Sequence, residues 1–409
     1  MNDLRVDVEN YTEQIVAMLW PTSVGADARA EATGLLALPS LRRARLLVPA
    51  AHRKVAANAV RRYSVQADAR ARISTALLAA SLRSGALQPL IRRRSWLPGG
   101  TAEPGSITAH LRTIVSPDCE VAVYVGLPRG NRKPVLLVCD PAGTLLAVAK
   151  LGVSALSSRL IRNEAAALTQ LAAAPLESII TPGVLFSGDW GTVPLLVQSA
   201  LPEFGPEPTD LALRRERAAV EISRIGGVEV HRLAASPVLD ALDRRIAVLA
   251  DSPERELASR SLSQLRDAAC DVDLPVGSWH GDWTPWNIAP SAERGMLVWD
   301  WERFASGVPV GYDALHYSGQ VGQTRPGGPE RALNDTRRDL AALLTPFGVT
   351  TEALQPVFVL YLVELLVRYT EDAQARMTIG RRWVDALSGC LESLHADLGS
   401  RPSTQRKAS

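Results

Sequence analysis

The sequence predicts an α+β protein in which a strand-rich segment precedes a mostly helical one. Short apolar strands separated by turn residues recur from residue 121 to 199, and apolar residues at helical spacing recur from residue 211 to 398. A third observation is chemical. The segment 279–304, which reads WHGDWTPWNIAPSAERGMLVWDWERF, contains acids and an amide at intervals that a pair of strands would bring together.

Asp282, Asn287 and Asp300 carry the chemistry of this segment. One carboxylate can accept a proton from an attacking hydroxyl, while an amide oxygen and a second carboxylate can hold Mg²⁺ against nucleotide phosphates. We predict a strand after Asn287 and another over 296–299, which together return Asp300 to the edge where Asn287 lies. The alternative is that both acids cap strand ends, as Asp often does in turns, but this does not explain the intervals.

The pattern H-G-D-x-x-x-x-N, followed by an apolar strand and D-W-E, resembles the aminoglycoside phosphotransferase and choline kinase branch of the protein-kinase-like fold. The resemblance implies a bilobal fold with a small antiparallel-sheet lobe and a large, mostly helical lobe. It also implies an ATP-dependent small-molecule kinase that uses Mg²⁺. Asp282 would then be the catalytic base, Asn287 and Asp300 the metal ligands, and His280 a structural residue that orients the loop.

Two further segments fit this resemblance. Residues 147–150, AVAK, resemble the V-A-I-K of kinases, and Glu164 lies at the start of the next apolar helix. In the family such a pair positions the lysine, here Lys150, on the nucleotide phosphates; the alternative is an ordinary charge at a strand end. Residues 311–313 resemble a family segment whose Asp helps to hold the catalytic loop, so we expect Asp313 to be a support residue.

The other nucleotide contacts are predicted by position alone. The turn-forming basic loop after residue 126 lies where kinases place a flap over the phosphates, although it lacks the full G-x-G-x-x-G. The alternative is an exposed hairpin tip with bases for solubility. The end of the strand at 193–199 is the expected hinge between lobes, whose backbone receives the adenine. The expected contacts are therefore Gly126, Arg129, Gly130 and Lys133 in the flap, and Gln198 and Leu201 in the hinge.

The first 100 residues differ in charge from the remainder. They contain 15 Lys and Arg against 7 Asp and Glu, a net charge of +8, which leaves −6 for the other residues. We predict an N-terminal basic α/β cap and linker over 1–100, a small lobe over 101–202, a large lobe over 203–400 and a disordered tail over 401–409. The basic residues either attract an anionic partner or form a solvated face whose stems cover apolar surface. Maltokinases of the same fold carry a cap in this position.

Composition excludes several other classes. A net charge of +2 over 409 residues argues against a protein that binds nucleic acid with its whole surface. The four cysteines lack any C-x-x-C pairing, which fits a reducing cytoplasm better than a zinc site or a disulfide framework. The N-terminus lacks the basic region and apolar core of a signal peptide. The most apolar run, 357–367, contains Glu364 and is too short to span a bilayer. We expect a cytoplasmic protein with no membrane partner.

The acceptor stays open from sequence. We favour a hydroxyl of a sugar or amino sugar, with choline-like and maltose-like acceptors as alternatives, although maltokinases have Gln where this chain has Asn287. Five of the nine tryptophans fall between 279 and 301, where they either pack in the core or offer an aromatic face to a sugar or an ammonium group. A different class of function is a nucleotide-binding scaffold without turnover. The oligomeric state cannot be read from the sequence.

Overall fold

The computed structural model describes residues 2–21, 34–63, 69–86, 95–126, 130–293, 295–374 and 378–399. The chain divides into two compact units. The first consists of Met1–Thr169 and Pro182–Leu201, and the second of Gln170–Thr181 and Pro202–Ser409. Arg129, the segment 92–94 and the tail 401–409 lie outside the described residues, so the predictions made for them stay predictions.

Helices and strands alternate in the first unit and give way to helices in the second. The helices are α1 (Asn2–Leu19), α2 (Arg53–Tyr63), α3 (Ala69–Ser84), α4 (Ile107–Ile114), α5 (Ala155–Ala172), α6 (Leu211–Ser223), α7 (Pro237–Ala247), α8 (Pro253–Ala269), α9 (Tyr312–Gly322), α10 (Gly328–Arg338), α11 (Leu340–Leu344), α12 (Leu354–Glu371) and α13 (Thr378–Gly399). The strands are β1 (Leu35–Leu38), β2 (Leu46–Pro49), β3 (Trp96–Leu97), β4 (Glu120–Tyr124), β5 (Val135–Cys139), β6 (Leu145–Leu151), β7 (Ile179–Ile180), β8 (Val184–Trp190), β9 (Val193–Ser199), β10 (Glu229–Arg232), β11 (Asp273–Trp279), β12 (Ile288–Pro290), β13 (Met296–Val298) and β14 (Ala305–Pro309).

The first unit is built on one antiparallel sheet of eight strands in the order β3-β1-β2-β4-β5-β6-β9-β8. The strands expected for the small lobe supply β4 to β6, β8 and β9. The strands of the first 100 residues extend this sheet beyond β4, since β2 pairs with β4 through Leu46↔Tyr124 and Leu47↔Val123. The predicted cap and the predicted small lobe therefore share one sheet, while the domain boundary near residue 100 stays a prediction.

Each face of this sheet is covered by helices, because successive side chains of a strand point to opposite faces. On β2, Leu47 packs in the same cluster as Trp20, which directly follows α1, and Leu111, which lies in α4. Its neighbour Val48 packs in the cluster of the opposite face, with residues of α2 and α3 such as Leu82. The helices of the first 100 residues are thus part of the hydrophobic core of this unit.

A close contact ties α2 to the turn between β5 and β6. Asn58 donates from Nδ2 to the carbonyl oxygen of Gly143 over 2.8 Å. Gly143 has φ +92, and a Cβ at this position would lie 2.8 Å from both the Asn58 amide and the Lys54 carbonyl oxygen. Only glycine permits both this backbone angle and this approach.

The second unit is mostly helical, with two three-stranded sheets in the order β10-β11-β14 and β12-β13-β7. Its core surrounds α12, whose residues from 356 to 369 are all buried. The segment Thr351–Glu371 is long and apolar enough to cross a membrane by length and composition, and 83% of its apolar 18-residue window is buried inside the protein. It also contains the buried Glu364 and Arg368. These observations identify it as a core helix.

An antiparallel sheet followed by a helical region is the α+β fold class that the sequence predicts, and this prediction is confirmed. The sequence analysis did not predict the helices α1 and α9 or the strands β1, β3, β7, β10 and β14.

Replacing Gly143 with alanine tests the docking of α2 on the sheet. We expect Gly143→Ala to lower the free energy of unfolding by about 2 to 4 kcal/mol, because a left-handed backbone costs about 1 to 2 kcal/mol and overpacking a further 1 to 3 kcal/mol. Gly191→Ala is the matched control, since Gly191 also has positive φ but nothing within 4 Å of a new Cβ. Equal losses for both variants in chemical unfolding would contradict the docking.

Candidate active site

Lys150 lies on β6 and forms a buried ion pair with α5. Ala147, Ala149 and Leu151 pack in the core, so Lys150 belongs to the opposite face of the strand. Its Nζ donates to both carboxylate oxygens of Glu164, over 2.6 and 2.8 Å. Glu164 is fully buried. This is the pair that the sequence predicts, and its role towards a nucleotide is taken up below.

The predicted hinge and flap residues lie in the same unit. Gln198 is buried on β9, and its side chain donates to Glu164 Oε1 over 3.2 Å, so the amide adds a third hydrogen bond to that carboxylate. Leu201 is half-buried just after β9. Gly126 has φ +76 and its carbonyl oxygen accepts from Arg45 over 3.2 Å.

The part of the flap that the structure describes resumes at Gly130, which lies in a turn, and Lys133 precedes β5. Arg132, one of the bases of this loop, stacks over the Tyr11 ring at 3.6 Å from its centroid. Helix α1 therefore contacts the flap through an aromatic ring.

In the second unit β11 leads directly into the loop His280-Gly281-Asp282, which the sequence analysis predicts to be the catalytic loop. Gly281 has φ +84, and a Cβ at this position would overlap the carbonyl oxygen and Cβ of Arg303. The loop therefore requires glycine for two reasons, the backbone angle and the space. This is a physical reason for the G of H-G-D in this chain.

Two helices hold the backbone of this loop through charged side chains. Asp313 of α9 accepts from the backbone N–H of His280 over 2.7 Å and from that of Gly281 over 3.2 Å. Arg368 of α12 donates to the Gly281 carbonyl oxygen over 2.6 Å. Burial raises the pKa of Asp313 to about 7, while the two N–H groups oppose this by favouring the ionised carboxylate.

His280 is a structural residue by its contacts. Its Nδ1 accepts from the Asp282 backbone N–H over 3.1 Å, and its Nε2 lies 3.0 Å from the Trp299 carbonyl oxygen. These partners require a neutral ring with the proton on Nε2. Burial lowers the pKa of His280 to about 4, and the Nδ1 lone pair is already used, so His280 is unsuited to act as a base.

The carboxylate of Asp282 is held at both oxygens. Asn287 donates from Nδ2 to Asp282 Oδ2 over 2.8 Å and to the Asp282 backbone carbonyl over 2.9 Å. His316 of α9 lies with Nε2 3.3 Å from Oδ1. The side chain is still 34% exposed. Burial would raise the pKa of Asp282, but the hydrogen bond from His316 opposes it and the net shift is downward, so the carboxylate is ionised at neutral pH.

Asn287 and Asp300 lie at the same end of a two-stranded ladder. β12 and β13 pair with Ile288 opposite Val298, and the Trp299 N–H continues the ladder to the Asn287 carbonyl oxygen over 3.1 Å. Asp300 follows with φ 66, a left-handed conformation that costs a non-glycine residue about 1 to 2 kcal/mol. Such strain in a structure is a reason to look for function.

The donor set of this ladder end fits a hard divalent cation. Because Asn287 Nδ2 is committed to Asp282, the amide orientation is fixed and Oδ1 is the atom left to bind an ion. Asp300 supplies a carboxylate at a half-buried position. Oxygen ligands of this kind are those that Mg²⁺ prefers.

Most tryptophans of the segment pack inside the protein. Trp279, Trp283 and Trp301 are buried, and the Trp301 ring lies 4.6 Å from the His280 ring. Trp299 stacks on Phe204 with ring centroids 5.4 Å apart. Trp286 alone among the five is exposed, at 40%. Trp286 is therefore the tryptophan of this segment whose ring is most accessible to a ligand.

The sequence analysis missed three residues around this loop. Arg368 and His316 contact the loop itself, and Tyr361 contacts His316. A signal for His316 was present, since it follows Asp313 by three residues and so shares its helix face. Arg368 could have been found as a charge four residues after Glu364 in the most apolar helix, since a buried charge needs a partner. Tyr361 gave no signal distinct from core packing.

No protein-family model matches the chain, and no curated protein matches it. Solved structures of similar fold were found. A thermostable mutant of aminoglycoside phosphotransferase APH(4)-Ia, in a ternary complex with ADP and hygromycin B, is 12% identical, covers 70% of this chain and 97% of its own, and has a TM-score of 0.47.

Two further structures belong to the group that the sequence resembles. The GDP complex of wild-type aminoglycoside 2'-phosphotransferase-IIIa is 17% identical over 71% of this chain and 99% of its own, with a TM-score of 0.44. Choline kinase LicA from Streptococcus pneumoniae is 10% identical over 68% and 90%, with a TM-score of 0.40. At such values the similarity concerns the fold alone, and we infer the function from this chain's own residues.

The Lys150–Glu164 pair is tested by removing one charge and then both. We expect Lys150→Met to lower the free energy of unfolding by about 3 to 5 kcal/mol, because it leaves a buried carboxylate without its cation. The double variant Lys150→Met/Glu164→Gln should recover most of this stability, since no charge stays buried. Lys54→Met, at an exposed lysine, is the control. A double variant as unstable as Lys150→Met would contradict this account.

The lowered pKa of His280 predicts a pH-dependent contribution to stability. The folded protein keeps this ring neutral down to about pH 4, whereas the unfolded chain protonates it near 6.5. The stabilisation is therefore complete above pH 6.5 and is lost as the pH falls towards 4. We expect the stability difference between the unchanged chain and His280→Gln to shrink by up to about 3 kcal/mol over this range in chemical unfolding. A stability difference between the two chains that does not change with pH would contradict the lowered pKa of His280.

Proposed function

We propose that this chain is a phosphotransferase that moves the γ-phosphoryl group of ATP to a hydroxyl of a small molecule. The observation that carries the proposal is the fixed carboxylate of Asp282, bound to Asn287 on one oxygen and facing His316 on the other. A buried backbone clamp holds the loop, yet this side chain is 34% exposed. A carboxylate built in this way can meet an incoming hydroxyl without moving.

Asp282 would accept the proton of the acceptor. The acceptor O–H bond breaks, its oxygen forms a bond to the γ-phosphorus, and the bond from that phosphorus to the β–γ bridging oxygen breaks, so that ADP leaves. The proton passes to Asp282. A carboxylate with a lowered pKa is a weak base, and this suits a loose transition state in which the proton is removed late.

Lys150, Asn287 and Asp300 would hold the phosphates. Glu164 keeps the Lys150 ammonium at the end of β6 by two short hydrogen bonds, a rigid position from which it can bind phosphate oxygens. Asn287 Oδ1 and the Asp300 carboxylate are the candidate ligands of Mg²⁺. When bound, the ion would neutralise charge on the phosphates. The flap and hinge residues named above are proposed nucleotide contacts.

A cavity of about 540 Å³ beside the catalytic loop supports a sugar-sized acceptor. Trp283, the residue after Asp282, lines it together with Tyr317 of α9. Three acids also line it, Glu216, Asp335 and Asp339, against the two bases Arg215 and Arg325. This small excess of acids suits a cationic amino sugar better than an anionic acceptor.

A nucleotide-binding scaffold without turnover is the alternative. It would need neither the ionised Asp282 nor the strained backbone of Asp300. Both features cost free energy to maintain, which favours an enzyme.

Acceptor-stimulated ADP release from Mg²⁺-ATP tests the proposal with neutral sugars, amino sugars and choline. We expect turnover with one class, and a kcat about 10²- to 10⁴-fold lower in Asp282→Asn, because the general base is lost. Asp251→Asn, at an exposed carboxylate, is the matched control. Asp339→Asn should raise the KM of an amino sugar but leave that of a neutral sugar unchanged.

Two outcomes would overturn the proposal. ATP binding without release of ADP in the presence of any of these acceptors would indicate the scaffold. Turnover that Asp282→Asn leaves unchanged would show that the reaction occurs elsewhere in the chain.

A further inference from the structure

One face of α9 contacts three consecutive residues of the catalytic loop. Asp313 binds the backbone N–H groups of His280 and Gly281. One turn later His316 lies with Nε2 3.3 Å from Asp282 Oδ1. Residues three apart on a helix lie on the same side. The helix therefore fixes both the backbone of the loop and the side chain that ends it.

His316 is itself held by α12. The hydroxyl of Tyr361 lies 3.1 Å from His316 Nδ1, and both side chains are at most 1% exposed. An ionised carboxylate only accepts hydrogen bonds, so Nε2 of His316 must carry a proton to bind Asp282. In a neutral imidazole Nδ1 is then an acceptor, and Tyr361 supplies the O–H that it needs.

We propose that His316, fixed in its Nε2–H tautomer by Tyr361, is a positioning residue that sets the plane of the Asp282 carboxylate. The proposal rests on the role proposed above for Asp282. Rotation of a carboxylate about its last bond is soft, and Asn287 alone binds only one of the two oxygens. A second donor on the other oxygen stops this rotation, so that a lone pair stays directed at the acceptor hydroxyl.

Arg368 and Asp313, the two residues that hold the backbone of the loop, have partners other than His316. Arg368 of α12 is engaged with the Gly281 carbonyl oxygen. Asp313, on the same helix, is engaged with the two backbone N–H groups. The chain Tyr361–His316–Asp282 is therefore the arrangement in which all three side chains have compatible partners.

Two buried tyrosines give a matched test. Tyr361→Phe removes the hydroxyl that holds His316. Tyr312→Phe removes a hydroxyl from a ring 5.6 Å away, and among the described residues that hydroxyl has no hydrogen-bond partner. With ADP release from Mg²⁺-ATP as the assay, we expect Tyr361→Phe to lower kcat about fivefold, the effect of one lost hydrogen bond. The KM for ATP should not change, and Tyr312→Phe should match the unchanged chain.

His316 variants separate positioning from packing. His316→Phe keeps a ring but loses both nitrogens, and we expect a kcat about 10- to 100-fold lower with the KM for ATP unchanged. His316→Gln places a donor near the former Nε2 and should recover part of the loss. Thermal unfolding shows whether each His316 variant is folded. If one is not, the kcat of Tyr361→Phe decides whether His316 positions Asp282.

Nitrogen NMR of the ¹⁵N-histidine-labelled chain reads the tautomer without any turnover. We expect His316, identified by the signals missing in His316→Gln, to carry its proton on Nε2, and the Nδ1 signal to shift in Tyr361→Phe but not in Tyr312→Phe. A proton on Nδ1, or on both nitrogens, at neutral pH overturns the proposal.

The two failures can be told apart. Turnover in which Tyr361→Phe behaves like Tyr312→Phe overturns the positioning role and leaves the proposed function intact. No turnover in the unchanged chain overturns the proposed function, and with it the catalytic meaning of His316, whatever the tautomer.

Discussion

The peptide groups around Gly281 are held at both ends by opposite charges from two helices. Asp313 accepts from its N–H, and Arg368 donates to its carbonyl oxygen. Gly281 also has a left-handed backbone conformation and lies directly against the backbone of Arg303. These contacts together restrict the turn to one backbone conformation. This conformation sets the positions of His280, which precedes Gly281, and of Asp282, which follows it. The contact of His280 with Trp299 and those of Asp282 with Asn287 and His316 depend on these positions.

This clamp places charges where burial is expensive. A buried ion needs partners, and here the partners are mostly backbone groups of a single short loop. The cost is offset because each group serves twice: Asp313 binds two N–H groups, while Arg368 also lies 5.4 Å from the centroid of the Trp279 ring. The same contacts therefore stabilise the fold and hold the loop in its conformation, so a substitution that removes one of them should affect both.

The sequence predicted what spacing and residue type can encode. The H-G-D-x-x-x-x-N segment and the apolar strand before Asp300 indicated a hairpin-like unit, and β12 pairs with β13. The pair of Lys150 and Glu164 was also readable, because strand alternation and the following helix limit the choice of partner. His316, Tyr361 and Arg368 were not found, since their partners are about 34 to 87 residues distant in the chain and a single sequence carries no record of such pairs. The pairing of β2 with β4 was not predicted either, because strand pairing over such a distance leaves no local mark in the sequence.

The eight-stranded sheet continues from the strands of the first 100 residues into the following ones, and this has a practical consequence for truncating the chain. Starting the chain at residue 101 would bare the hydrogen-bonding edge of β4, now paired with β2. It would also uncover Ala122 and Leu137, which α2 and α3 now shield. An open strand edge beside an apolar surface invites association with other chains. The truncated chain would therefore be prone to aggregate and would not be a smaller functional protein.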